Sequence, residues 1–164
     1  ILASEDLAKK FTDLPIWISG IGQKTNSASF MKNQLTTFSS SVIAANDAYN
    51  MAKTTSKEID VAEIHDAFSV CELMAVEDLN LAERNTGATY TRNLFNTEDR
   101  KINPRGGLIG AGHPLGATGI SQVVEITQQL QNNAEKRQIS GAKKGLVHNM
   151  SAAATSSSVL ILES

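Results

Sequence analysis

The sequence Asn-Pro-Arg-Gly-Gly-Leu-Ile-Gly-Ala-Gly-His-Pro-Leu-Gly-Ala-Thr-Gly occupies residues 103–119 and is the most informative stretch of this 164-residue chain. Its glycines permit positive φ angles and a close approach of backbone or ligand. Pro114 fixes the backbone directly after His113. Such a loop can aim one imidazole while leaving backbone N–H groups free, at the start of the next helix, to bind an anionic group. The stretch therefore predicts a functional site around His113.

Two further histidines lie at similar places in the predicted fold. His65 ends a predicted strand at 59–64, and His148 lies near the end of another at 145–149. Open α/β sheets build their sites at the carboxyl ends of strands and in the loops just beyond them. We therefore expect the three histidines of the chain to converge on one site.

The remaining pattern predicts a layered α/β fold in a single domain, residues 1–164. Predicted helices cover 4–12, 40–53, the segment after His65 to about 79, and 120–131, and predicted strands cover 15–22, 59–64, 145–149 and 158–162. Because strands alternate with helices and the chain ends in a strand pair, we expect a sheet of mixed direction.

Some of these elements carry more specific expectations. Strand 15–22 is β-branched and apolar, so we expect it to be buried. The helix after His65 is apolar nearly all round, which also predicts burial, and Asp66 is its expected cap. The polar stretches 23–39, which includes Phe30 and Met31, and 80–105 are expected to be long excursions.

Composition excludes several classes of partner and site. Lys and Arg number 15 against 17 Asp and Glu, so no basic excess attracts nucleic acid. No apolar run approaches the roughly 18 residues that a membrane span needs. The single cysteine excludes an intramolecular disulfide and a multi-cysteine zinc site, and fits a reducing, cytoplasmic location. The separations of the three histidines match no short metal-ligand motif, so we expect no metal.

Other catalytic motifs do not fit the chain. The glycine-rich stretch lacks the Gly-Lys-Ser/Thr of a Walker A loop, has the wrong spacing for a dinucleotide fingerprint, and is accompanied by no GxSxG elbow. Cys71 falls within the helix that is expected to be buried, whereas a reactive thiolate needs an electropositive, partly exposed position. Cys71 is therefore expected to be a small core residue.

Three motifs, in this order, resemble the C-terminal half of the thiolases, in particular the sterol-carrier-protein-type and archaeal members. His65-Asp-Ala-Phe68 is similar to the His-Asp-Cys-Phe box of that family, and residues 103–119 are similar to its Gly-His-Pro-x-Gly loop. His148-Asn149-Met150 is similar to a His-Asn-Ile segment of some archaeal members. The resemblance implies a five-stranded mixed sheet covered by helices.

The resemblance also implies a reaction, the acyl transfer of an acyl-CoA C-acyltransferase such as acetyl-CoA acetyltransferase. A 3-ketoacyl-CoA is made or cleaved, with coenzyme A thioesters as substrates and no resident cofactor. By this resemblance His113 activates a nucleophilic cysteine, His65 positions a water in an oxyanion hole, and His148 moves the α-proton. Asn149 is the alternative at this third position. The residues implied to bind substrate are Phe68, Gly112, Pro114, Gly116 and Asn149.

Two departures from the family pattern leave a second function open. The nucleophilic cysteine of thiolases lies in an N-terminal half that this chain lacks, so we expect a fragment that is inactive alone. Ser151-Ala152 stands where relatives have Gly-Gly, so a Cβ intrudes at each position. A non-catalytic acyl-CoA-binding or assembly subunit is therefore the alternative.

Partners follow from the same resemblance. It implies the missing N-terminal half and a homodimer or tetramer. It also implies, by analogy with archaeal relatives, a hydroxymethylglutaryl-CoA synthase and a small zinc-ribbon/OB scaffold protein. A lone C-terminal half would expose an apolar face, so we expect it to self-associate or to bind a partner.

Overall fold

The computed structural model describes residues 1–29, 32, 34–97 and 100–164. The helices are α1 (Glu5–Phe11), α2 (Ser39–Ala52), α3 (Ser69–Asp78), α4 (Gly87–Phe95), α5 (Gly107–Ala111) and α6 (Thr118–Leu130). The strands are β1 (Trp17–Thr25), β2 (Val61–Glu63), β3 (Lys144–Met150) and β4 (Ser156–Glu163). Short 3₁₀ turns cover Ser56–Glu58, Glu135–Arg137 and Ala152–Ala154.

The described strands form one mixed sheet in the order β1-β4-β3-β2. β4 runs antiparallel to both of its neighbours, whereas β2 and β3 are parallel. The predicted α/β class and mixed direction are confirmed, but the described part of the chain contains four strands, not five. On the free side of β2, the described residues form a single parallel bridge, Ala62 to Ile102. A second strand residue does not follow, because Asn103 has a positive φ and Pro104 lacks an N–H.

Side chains on the two faces of the sheet enter separate core layers. Successive residues of a strand point to opposite faces. Ala62, Leu146 and Ile161 pack with α2 and α3, whereas Val61, Val147 and Leu162 pack with α6. The sheet therefore lies between two helical layers.

The expectation of a buried first strand is wrong. β1 extends to Thr25, beyond the predicted end, and only Gly20 and Gly22 along it are buried. Within the part of the chain that the structure describes, β1 pairs with β4 alone and is therefore an edge strand, and α2 covers one of its faces. A Cβ at Gly22 would overlap the backbone carbonyl of Ala44, so this glycine permits the close approach of strand and helix.

The helix after His65 also differs from expectation. It begins at Ser69 with Phe68 as its N-cap residue, and Asp66 does not cap it. The Asp66 carboxylate accepts the backbone N–H of Leu108 instead. Burial is confined to the side of α3 that faces the sheet, around Ala75 and Val76. Ser69 and Val70 are exposed, and residues 71–74 and 77 are half-buried, which corrects the prediction of a helix buried all round.

The two polar stretches contain more regular structure than expected. Residues 80–105 include helix α4, which packs on α3. The stretch 23–39 begins with the end of β1 and finishes where α2 starts. The predicted apolar positions Phe30 and Met31 lie outside the described residues.

Candidate functional site

A cleft of about 870 Å³ opens where β2 and β3 end. Its polar side carries His65, His113 and Asn149. The larger part of its lining is apolar and includes Phe38, Phe68, Met74 and Leu115. A mostly apolar concavity with a few convergent polar groups is the usual form of a small-molecule site.

His65 and His113 form the centre of the polar side. Their rings meet edge to face, with centroids 5.0 Å apart and an interplanar angle of 90°. The Nδ1 atom of His65 accepts the backbone N–H of Met150 at 3.5 Å, and Nδ1 of His113 lies 2.7 Å from Oγ1 of Thr118. Burial, with a smaller effect from His113, lowers the pKa of His65 to about 4. His65 is therefore neutral at physiological pH.

A hydrogen-bonded clamp brings these two histidines together. The backbone N–H of Ile64 donates to Oδ1 of Asn103 at 2.8 Å, and Asp66 accepts the N–H of Leu108. Gly107 has a φ of +63°, and a Cβ there would overlap the Asp66 carboxylate. Arg105 donates to Glu63 at 2.9 Å. The residues on either side of His65 are therefore fastened to the glycine-rich stretch that leads to His113.

His148 and Asn149 lie on opposite sides of β3, as expected of successive strand residues. Asn149 lines the cleft, and its Nδ2 donates to Oε1 of Gln122 at 2.8 Å. His148 is fully buried behind the cleft wall, with Nε2 2.9 Å from Oγ of Ser41. Burial, with a smaller effect from His65, lowers the pKa of His148 to about 3. The structure thus brings His65, His113 and Asn149 to the cleft and leaves His148 outside it.

The other residues predicted to bind substrate divide into two groups. Phe68 is 71% exposed and lines the cleft. Gly112, Pro114 and Gly116 shape the loop that presents His113. Gly112 ends α5 with a φ of +94°, and the carbonyl of Pro114 accepts the N–H groups of residues 117 and 118 at the start of α6.

Cys71 lies on the cleft, contrary to the prediction of a core position. It is half-buried and follows Phe68 by three residues on the face of α3 that Met74 continues. This spacing of three residues places all three side chains on one side of the helix, and it was the available signal. Burial raises the pKa of the Cys71 thiol, so the thiolate is disfavoured at this position.

Two groups of residues at the site were missed by sequence reasoning. In the turn Ala152–Ala154, Ala153 and Ala154 also line the cleft, and both have left-handed backbone conformations. Behind the turn, Ser40 and Ser41 are buried in the first turn of α2, where the sequence predicted only the start of a helix. Alanine and serine carry no distinctive sequence signal, so their roles emerge only from the packing.

Neither a metal site nor a membrane-spanning helix is found among the described residues. No group of three or more His, Cys, Asp or Glu side chains there is arranged to hold a metal ion. No helix in that part of the chain is long and apolar enough to cross a membrane.

Comparisons with known proteins agree with this architecture. The family described as thiolase C-terminal domain-like matches residues 22–164. An acetyl-CoA acetyltransferase of Methanothermobacter thermautotrophicus is 39% identical over 153 residues, which are 92% of this chain and 40% of that protein. Sterol carrier protein 2 of Homo sapiens is 47% identical over 115 residues, which are 69% of this chain and 21% of that protein.

A solved structure extends the comparison to three dimensions. The Ltp2-ChsH2(DUF35) aldolase superposes with a TM-score of 0.79 at 18% identity, covering 92% of this chain and 40% of that one. At this identity the likeness shows the fold alone. The chain spans less than half the length of each of these relatives.

Proposed function

Because this chain belongs to the thiolase family, with a C-terminal thiolase domain over residues 22–164, we propose that it supplies one half of a thiolase active site. The complete enzyme would cleave a 3-ketoacyl-CoA by thiolysis or form it by Claisen condensation. The observation that carries this proposal is the edge-to-face pair of His65 and His113 on the polar side of the cleft. A complementary half would bring the nucleophilic cysteine.

His113 is the base in this proposal. Its Nδ1–H donates to Oγ1 of Thr118, whose own hydroxyl donates to the carbonyl of Pro114 at 3.2 Å. A neutral imidazole with its proton on Nδ1 keeps a lone pair on Nε2. In thiolysis that nitrogen takes the proton of the cysteine thiol as the sulfur attacks the 3-keto carbon, and returns it to the α-carbon of the acyl-CoA enolate that leaves when the carbon–carbon bond breaks. It then takes the proton of the coenzyme A thiol that attacks the acyl-cysteine, and returns it to the released cysteine sulfur.

His65 is the donor. Its Nδ1 accepts the N–H of Met150, so the proton of the neutral ring lies on Nε2. The low pKa of His65 keeps the ring in this neutral form. The Nε2–H group, directly or through a water, stabilises the negative charge that develops on a thioester or enolate oxygen. One histidine therefore accepts a proton while its neighbour donates a hydrogen bond.

We assign the third position to Asn149, the alternative to His148. Asn149 lines the cleft, and one hydrogen of its Nδ2 is used by Gln122. The second hydrogen remains to bind a thioester oxygen. Since an amide cannot take a proton, Asn149 orients the substrate in this proposal and transfers no proton.

A non-catalytic acyl-CoA-binding subunit is the second candidate. Its support is the cleft lining at Ser151 and Ala152, where side chains stand in place of the glycines of relatives. Each Cβ reduces the room beside the backbone N–H groups of the turn. This alternative predicts binding of a coenzyme A thioester without turnover.

Substrate and partners are part of the proposal. One relative is named for acetyl-CoA and others for sterol carriage, and an apolar cleft suits an acyl group. We propose that the protein binds acyl-CoA, acts with an N-terminal thiolase half, assembles as a homodimer or tetramer, and works in the cytoplasm. The exposed apolar side chains at the cleft mouth, Phe68 and Leu115, favour such a covering partner. The proposal also includes association with a hydroxymethylglutaryl-CoA synthase and a zinc-ribbon/OB scaffold protein.

Thiolysis of acetoacetyl-CoA by the native full-length protein tests the proposed function. We expect turnover that falls by about 10²- to 10⁴-fold in His113→Ala, the range for loss of a general base. Lys136→Ala, an exposed position in the turn after α6, is the control. Binding of acetyl-CoA without turnover would instead support the non-catalytic subunit, and an absence of both would reject both functions.

A further inference from the structure

A buried chain of hydrogen bonds connects two parts of the cleft wall. The backbone N–H of His65 donates to Nδ1 of His148 at 3.5 Å, and Nε2 of His148 lies 2.9 Å from Oγ of Ser41. The chain continues through Ser157 and Ser40, at 2.9 and 2.8 Å, to the carbonyl of Ala154 at 2.7 Å. His148 and the three serines between these ends are at most 1% exposed.

The carbonyl of Ala154, at one end of this chain, determines which group donates and which accepts in each of its hydrogen bonds. The carbonyl of Ala154 can only accept, so it takes the single proton of the Ser40 hydroxyl. Ser40 must then accept from Ser157, and Ser157 must accept from Ser41. The proton of Ser41 is used in this way, so Ser41 accepts from His148. His148 therefore carries its proton on Nε2.

The His65 end of the chain independently indicates the same tautomer of His148. The backbone N–H of His65 can only donate, so Nδ1 of His148 must be the unprotonated acceptor. A neutral imidazole with a free Nδ1 has its proton on Nε2. Burial and the nearby His65 lower the pKa of His148 to about 3, which agrees with a neutral ring.

We infer that His148 is a positioning residue, locked as the Nε2–H tautomer, which ties the backbone of His65 to the turn Ala152–Ala154. Both of its ring nitrogens are occupied within the chain, so neither can exchange a proton with a substrate. The assignment of the tautomer is independent of the reaction, whereas its importance for turnover rests on the proposed function.

The geometry explains why the cleft needs this connection. Ala153 and Ala154 hold left-handed conformations that are unfavourable for L-residues, so the turn requires an anchor. Ser40 supplies one by binding the carbonyl of Ala154. The same chain ends on the backbone of His65, so the turn and this histidine keep a fixed relation across the cleft.

Nitrogen NMR of the native protein labelled with ¹⁵N-histidine tests the tautomer directly. Long-range correlations distinguish a protonated from an unprotonated ring nitrogen, and the His148 signals are identified by their loss in His148→Gln. We expect protonated Nε2 and unprotonated Nδ1, unchanged between pH 8 and pH 5. A proton on Nδ1, or titration within that range, would overturn the inference.

Kinetics of thiolysis separate positioning from proton transfer. The Gln side chain in His148→Gln keeps a donor for Ser41 but cannot take a proton, so we expect kcat within about tenfold of wild type. We expect a much larger decrease in kcat for His148→Ala, which removes both ring nitrogens from the chain. Loss of the 10²- to 10⁴-fold that general acid–base catalysis supplies in the folded Gln variant would reject the positioning role.

A serine pair provides the matched comparison. Ser157→Ala interrupts the chain and frees the Ser41 hydroxyl, so we expect the Nε2 resonance of His148 to leave its wild-type position, while the N–H of His65 still holds the tautomer. Ser157→Thr, which restores a hydroxyl, should return the resonance to that position. Ser19→Ala, in β1 beside the far end of β4, should leave the His148 signals unchanged. Wild-type protein without any turnover would reject the proposed function, while the NMR result would still decide the assignment of His148.

Discussion

The carboxylate of Asp66 accepts a hydrogen bond from the backbone N–H of Leu108, 42 residues further along the chain. Asp66 follows His65, and Leu108 lies in the glycine-rich stretch that leads to His113. The bond therefore joins the two motifs whose histidines meet in the cleft. The Asp66 carboxylate also occupies the space that a side chain at residue 107 would need. This contact, in addition to the positive φ, explains why residue 107 is a glycine.

Asp66→Ala should destabilise the protein by about 2 kcal/mol. The substitution leaves the buried N–H of Leu108 without an acceptor, and an unsatisfied buried donor costs about 1–3 kcal/mol. Asp66→Asn retains an acceptor oxygen and should cost less. Urea unfolding measures both values. Asp47→Ala, exposed on α2, should change stability by less than about 0.5 kcal/mol, and an equal effect of the Asp66 and Asp47 substitutions would contradict the clamp.

The sequence allowed the meeting of the motifs to be predicted, because strand ends and helix starts follow from periodicity and glycine placement. It did not distinguish His148 from Asn149 as the cleft residue. Neighbouring strand residues face opposite sides, and the pairing of His148 with Val159, set by the whole sheet, decides which side holds the cleft. The register of the sheet cannot be predicted from the local sequence pattern around His148.

The burial of β1 and the role of Asp66 were mispredicted for the same reason. β-branched residues favour a strand at any place in a sheet, but edge or centre depends on the strand order. Asp66 is suitably placed to cap a helix, yet a distant N–H competes for its carboxylate. Each error concerns a contact between segments far apart in sequence.

Gly22→Ala should destabilise the protein by about 3 kcal/mol, because the added methyl group would overlap the backbone carbonyl of Ala44. Backbone atoms cannot move aside as a flexible side chain can, so β1 and α2 must separate. The midpoint of chemical denaturation measures the effect.

Gly110→Ala is the control for this substitution. A Cβ at Gly110 meets nothing within 4 Å, and alanine is the better helix former by about 1 kcal/mol. The control should be neutral or slightly stabilised. Equal stability of the two variants would show that α2 does not press on β1 as closely as the packing indicates.

The pH dependence of stability should report the buried His148. Its pKa is about 3 in the folded protein and about 6.5 when unfolded. Between these values the unfolded chain binds a proton that the folded protein does not, so stability is full above pH 6.5 and falls as the pH decreases toward 3. From pH 7 to pH 4 this loss amounts to about 3 kcal/mol.

Comparison with His148→Gln isolates this contribution. Glutamine does not titrate, so the variant should lose about 3 kcal/mol less than wild type over the same interval. His65, whose pKa is also lowered, and Glu63, whose pKa burial raises to about 7, act in both proteins and cancel in the difference. Parallel stability curves for the two proteins, measured by denaturation at each pH, would contradict a neutral buried His148.

Ala153→Gly should stabilise the protein by about 0.5 kcal/mol. Ala153 has φ 57° and ψ 20° in the turn at the cleft, and this left-handed conformation costs an L-residue roughly 1–2 kcal/mol. Glycine removes that cost but loses about 0.5–1 kcal/mol of backbone entropy on folding, so a small net gain remains. Ala88→Gly, in the right-handed helix α4, has no strain to relieve and should lose about 1 kcal/mol. Thermal and urea unfolding of both variants measure the difference, and destabilisation of Ala153→Gly to the same extent as Ala88→Gly would show that the turn is not left-handed at this residue.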